Sequence, residues 1–185
     1  VSGIEDAEAI VATPSSPDLV VERLDGARFL ALPLSIVEGA SRLALPESVY
    51  AIGDRKMRIS GASVGIQPWS SPTGSRAVGT FTASVAPSQG QRHDFRIRIS
   101  GSGNLPFVSL PGFELRDGHG EGPVDFTLYR VDDFIPSAGG YVGSITFNVA
   151  VLSRIPGRYR ATFTPFEYLD LASGTLARSA LPPLA

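Results

Sequence analysis

The chain has 185 residues, 43% of them hydrophobic and 18% charged, with 20 Gly and 15 Pro. That is enough apolar material to bury a core, which excludes disorder on composition, and so many turn residues favour short strands over a helical bundle. A formal net charge of −2 removes the electrostatic case for nucleic acid or an anionic membrane surface, and no 18-residue apolar run is present to span a bilayer.

In chain order, residues 4–12 (IEDAEAIVA) come first. Ile4, Ala7, Ile10 and Val11 fall near helical spacing behind an acidic turn, so this stretch reads as a short helix or, equally, as an extended arm. Pro14 and Pro17 then form a hinge. From Asp18 the texture is β. Residues 19–24 (LVVERL) and 28–37 flank Asp25-Gly26 as a hairpin, and residues 48–52 and 56–60 flank Gly53-Asp54 as a second, with residues 62–68 continuing the ribbon. Residues 70–75 are a loop after Trp69. Residues 78–86 and 95–99 (FRIRI) alternate apolar with polar, as half-buried strands do. Residues 105–115, broken by Pro106, Pro111 and Gly112, read as an irregular edge. Residues 124–129, 141–152 and 158–168 are the strongest strands, the last two each following a Pro/Gly cluster.

Some ten to twelve strands with no helical pattern between them predict an all-β fold, most economically an antiparallel two-sheet sandwich of Ig-like or pilin-like type with a short N-terminal arm or helix. No βαβ alternation appears, so a parallel sheet is not expected. The expected organisation is an arm and hinge over residues 1–17, the sandwich over 18–178 and a tail over 179–185. Both tails are expected to be held, either folded back on the domain or gripped by a neighbouring molecule.

Chemistry-bearing residues are sparse. With no Cys there are no disulfides, thiolate sites or Cys nucleophiles. Basic charge is carried by fifteen Arg and Lys56 alone, which reads as codon bias. Asp117, Glu121 and Asp125, with Gly122 at the sixth position, resemble a calcium loop, but His119 and Leu128 stand where oxygen ligands belong; a glycine-rich connection is the plainer reading. His93 and His119 are the two histidines, and nothing in the sequence around either supports a Ser-His-Asp triad. Asp132-Asp133 is an adjacent acid pair and reads as a solvated turn approach. Gly101-Ser102-Gly103-Asn104 opens no helix and so is no phosphate loop. Arg92, Arg96 and Arg98 make a solvent-facing stripe, and the phenylalanines read as core before they read as a sugar-stacking platform. No catalytic residue, metal or cofactor is expected, and the chain is read as non-enzymatic.

Residues 135–149 (IPSAGGYVGSITFNV) resemble the late-strand motif of bacterial pilus subunits and related secreted sandwiches, in which a Pro/Ala/Gly turn leads into Gly-x-Tyr-x-Gly or a close variant, followed by an alternating strand. Gly140, Tyr141, Gly143, Ile145 and Phe147 carry it. In pilins that strand lies near the C-terminus, whereas here residues 158–168 and a tail follow, and the early Cys pair of many pilins is missing. The resemblance implies donor-strand assembly, with Ile4, Ala7, Ile10 and Val11 as the arm that fills a groove in the next subunit. Val1, with Met57 as the lone methionine, is what removal of a leader would leave, and equally what trimming would leave. The expectation is a secreted or cell-surface bacterial structural subunit of a filament, pilus or surface layer, with copies of itself as partner. The second candidate is a secreted carbohydrate-binding module using Trp69 or Tyr50.

Overall fold

The computed structural model describes residues 9–10, 19–25, 28–33, 42–44, 47–52, 54–61, 63–65, 75–88, 95–117, 123–152 and 159–184. They are mostly strand, with one short 3₁₀ turn, so the all-β expectation holds. The chain divides into two compact units, residues 1–70 with 136–140 and residues 71–135 with 141–185.

Among its described residues the first unit holds seven short strands: β1 (Ala9–Ile10), β2 (Leu19–Asp25), β3 (Arg28–Pro33), β4 (Arg42–Ala44), β5 (Ser48–Ile52), β6 (Arg55–Ile59) and β7 (Ser63–Gly65). Strands β2 and β3 form the hairpin expected around Asp25-Gly26, in a register that shifts between Arg23 and Asp25. Strands β5 and β6 form the second expected hairpin. Its partner on the other side is β1, with Ala9 opposite Ala51 and Ile10 opposite Tyr50, so this part of the N-terminal segment is extended rather than helical. Strand β7 does not continue the β5–β6 ribbon; it pairs antiparallel with β4.

Among the described residues the second unit holds β8 (Val78–Pro87), β9 (Phe95–Gly103), the 3₁₀ turn η1 (Leu105–Phe107), β10 (Phe113–Asp117), all but the last two residues of β11 (Phe126–Ser137), all but the first residue of β12 (Gly140–Val151), β13 (Tyr159–Phe163), β14 (Phe166–Asp170) and β15 (Thr175–Ser179). Six of its strands form one sheet in the order β11-β12-β9-β8-β14-β15, and β10 pairs with β13 as a separate ribbon. The sheet is antiparallel except at one seam, where Leu169 and Asp170 of β14 run parallel to Val78 and Gly79 of β8. That parallel contact departs from the sequence expectation. It is short, and it arises because the chain reaches β14 directly from the ribbon strand β13 rather than through a hairpin with β8.

Alternation decides the two faces of this sheet. Phe81, Ala83 and Val85 of β8 lie across from Gly101, Ile99 and Ile97 of β9, and Ile99, Ile97 and Phe95 lie across from Ile145, Phe147 and Val149 of β12. These odd-numbered positions share one face, and Phe95, Ile97, Ile99 and Ile145 are fully buried there. The ribbon covers that face: the Phe95 ring meets Phe113 and Phe163 edge-on at 5.7 Å and stacks with Tyr159 at 6.1 Å. Leu105 and Val108, from η1 and its cap, are buried as well. The even-numbered positions Thr80, Thr82 and Ser84, with Arg96, Arg98 and Ser102, face solvent.

Two local devices hold the frame. The Asn104 side chain acts as a piece of backbone, accepting from the Val78 N–H at 2.7 Å and donating through Nδ2 to the Arg76 carbonyl at 2.7 Å, which fixes the start of β8. The C-terminal tail docks in cis, because Leu184 and Ala161 of β13 exchange both main-chain bonds (2.9 and 3.0 Å) and Leu181 is buried. The segment expected to be one strand over residues 158–168 is broken into β13 and β14 at Thr164-Pro165, where proline has no N–H to give a ladder.

Candidate interaction surface

Strand β11 is the outermost strand of the six-stranded sheet, and among the described residues no strand pairs with its outer edge. Its twelve residues, FTLYRVDDFIPS, are exposed from Phe126 to Asp133. A strand that long, bare on one edge, offers a row of unpaired N–H and C=O groups to another chain.

Three contacts fix which side chains share a face. The Phe126 ring meets Phe113 at 5.0 Å, the Arg130 guanidinium lies over the Phe147 ring at 5.9 Å, and the Phe134 ring meets Tyr141 at 5.1 Å. The even-numbered residues therefore project to the side that the ribbon and η1 cover. By alternation, Tyr129, Val131, Asp133 and Ile135 project from the opposite, open face. Both sides of β11 thus carry large apolar groups in water: Phe126 and Leu128 at 42% exposure on one, Tyr129 at 60% and Ile135 at 69% on the other. Native edge strands usually carry few such groups, because they invite pairing.

Arg130 ties the edge to the body of the unit. Its Nε meets Asp132 Oδ1 at 2.6 Å, and its Nη1 and Nη2 donate to the Val108 and Pro106 carbonyls at 3.3 Å each. The other side of β11 rests on β12 at Gly143. That glycine sits at φ +145°, and a Cβ there would run into the Asp133 carbonyl and lie 2.6 Å from the Phe134 Cα. Only a residue without a side chain lets the two strands approach this closely.

The motif residues of the sequence reading fall on β12. Tyr141, Ile145 and Phe147 point into the core beneath the ribbon, and Gly140 begins the strand after the turn at Ala138 and Gly139. They shape the hairpin that presents β11 and are not themselves displayed. Of the expected arm, Ile10 lies in β1, while Ile4, Ala7 and Val11 lie outside the described residues. So do Trp69, Arg92, His93 and His119, together with residues 118–122 of the calcium-like loop; Tyr50 is described as a backbone position of β5. The apolar outer positions of β11 were missed by sequence reading, although a signal was there: apolar residues at Phe126, Leu128, Tyr129 and Val131 break the period-2 rule that an ordinary half-buried strand keeps.

Two polar features lie elsewhere in the second unit. A cleft of about 420 Å³ is lined by Ser75, Arg76, Pro111, Thr164, Phe166 and Glu167, among others. The Ser75 hydroxyl donates to the Glu167 carbonyl at 2.5 Å, and Glu167 holds Arg178 at 2.7 Å, so these two lining residues are engaged in holding strand ends. At the β14–β15 turn, hydrogen bonds from the Ser173 hydroxyl (2.8 Å) and then the Ala172 N–H keep the Asp170 carboxyl below the usual carboxylate range. Among the described residues no three His, Asp or Glu side chains converge as a metal site, and no helix is long and apolar enough to cross a membrane.

No family model, curated protein or solved structure matches the chain.

Proposed function

We propose that this chain is a structural subunit of a bacterial extracellular filament, pilus or surface layer, and that it assembles by strand addition. The observation that carries the reading is β11, a twelve-residue outer strand with an open edge and exposed apolar side chains on both faces. A solitary protein gains nothing from such an edge, whereas an assembling one uses its main chain for affinity and its alternate side chains for register. The extended Ala9–Ile10, already paired antiparallel with β5, supports an N-terminal segment that travels as a strand. The six-stranded sheet, faced by the β10–β13 ribbon across the Phe95 cluster, supports the finer reading of a sandwich of Ig-like type.

A carbohydrate-binding module is the second reading, and the described cleft favours it less. Its one aromatic, Phe166, is 4% exposed and gives a sugar ring no free plane to stack on. Negative-stain microscopy of the intact chain beside one lacking residues 1–17 tests the proposal. Filaments or ordered arrays from the intact chain, reduced or lost in the truncation, are the expected result. Uniform single particles from both at high concentration would overturn it.

A further inference from the structure

We propose that β11 pairs antiparallel with β11 of a second copy of this chain about a two-fold axis through Val131, joining two six-stranded sheets edge to edge. This rests on the preceding proposal that the chain self-associates, and it names the surface, the partner and the register.

The register follows from two constraints. The first is which main-chain groups are free. The Leu152 N–H donates to the Asp125 carbonyl at 2.8 Å, beside the position where the β11–β12 ladder begins. In an antiparallel ladder the inward-pointing residues then recur at every second position. Tyr129, Val131, Asp133 and Ile135 accordingly direct N–H and C=O toward β12, while Phe126, Leu128, Arg130, Asp132 and Phe134 direct theirs outward. The close approach of Gly143 to Phe134 agrees, because facing residues outside the hydrogen-bonded pairs come nearest. Pro136, the next even position, has no N–H to point outward, which is where an edge strand tolerates proline. A second β11 can therefore join only in registers that set even positions against even positions.

The second constraint is charge. Centring the pair on Arg130 sets arginine against arginine, and centring it on Asp132 sets aspartate against aspartate; like charges directly opposite are destabilising. Centring it on Val131 sets Arg130 against the other copy's Asp132, twice, so that the existing Arg130–Asp132 pair becomes a ring of four alternating charges. The same register sets Leu128 against Phe134 on the covered side, and Val131 against Val131 on the open side. The strand is self-complementary about that one residue, as an isologous interface requires.

The absence of Cys makes the test clean. On the axis, Val131 faces its own copy in a pair that lacks hydrogen bonds, with Cα atoms about 4.5 Å apart, inside the span a disulfide bridges. Val131→Cys is therefore expected to oxidise to a covalent dimer of doubled mass on a non-reducing gel. Tyr129→Cys and Asp133→Cys are each expected to stay single alone yet to cross-link when mixed, since the register sets them opposite. Adding Asp132→Lys to Val131→Cys should abolish the bridge while the far-UV spectrum remains native. If the unmodified chain sediments as a dimer or larger but Val131→Cys stays single, this register is wrong and self-association stands. If the unmodified chain is monomeric at every concentration, both proposals fall.

Discussion

Strands β11 and β12 are the two arms of one hairpin, twelve residues each, and they live by different rules. Strand β12 keeps its large apolar residues in phase: Tyr141, Ile145, Phe147 and Val149 are buried on one side, while Val142 on the other is open to water. Its neighbour places apolar groups on both sides and buries none of them fully. Interior strands are disciplined by two ladders and a packed face, so a side chain out of phase costs stability at once. An edge strand escapes half of that discipline. What β11 does with the freedom is not what a solitary domain needs, and this contrast is the ground of the functional reading.

The sharpest way to break the comparison is to remove buried volume from the disciplined strand. Ile145→Ala, at a fully buried site, should cost about 4 kcal/mol in denaturant unfolding. Gly143→Ala, where a Cβ meets the backbone of β11 at φ +145°, should cost about 3 kcal/mol and loosen the hairpin, read as faster amide exchange in both arms. Asn104→Ala leaves the Val78 N–H and the Arg76 carbonyl without their partner and should cost about 2 kcal/mol. Ile135→Thr on the open face of β11 should change the stability of the isolated chain by no more than about 0.5 kcal/mol. A large loss there would mean that β11 belongs to the core after all.

The smallest effect is one of pH. Asp170 is held below the usual carboxylate range by Ser173 and Ala172, so what it adds is present above the ordinary carboxylate value and is lost as pH falls through its lowered one. Asp170→Asn should therefore narrow the gap in thermal midpoint between pH 7 and acid solution. The group lies at the surface and is only partly covered, so the change should be slight.

The β texture was legible because FRIRI over residues 95–99 and the alternation from Tyr141 to Val149 are local signals, and Asp25-Gly26 marks its own turn. Three things were not legible. Strand β15, Thr-Leu-Ala-Arg-Ser, carries little β propensity and exists through its hairpin pairing with β14, Glu167 against Arg178. The parallel seam between β14 and β8 depends on where the ribbon delivers the chain. The open edge of β11 depends on sheet order, which no local window contains. Tyr141 and Phe147 stood out as a motif because their spacing is regular, yet they are core. Tyr129, Val131 and Ile135, whose apolar pattern is irregular, are the ones displayed.

The account is tested most directly by amide hydrogen exchange along β11, measured at low and high protein concentration. At both, the inward amides of Tyr129, Val131 and Asp133 should be protected by β12. The outward amides of Leu128, Arg130, Asp132 and Phe134 should exchange freely when dilute and become protected as concentration rises. Outward amides that exchange at one fast rate at every concentration would contradict the claim that this edge is where copies of the chain meet.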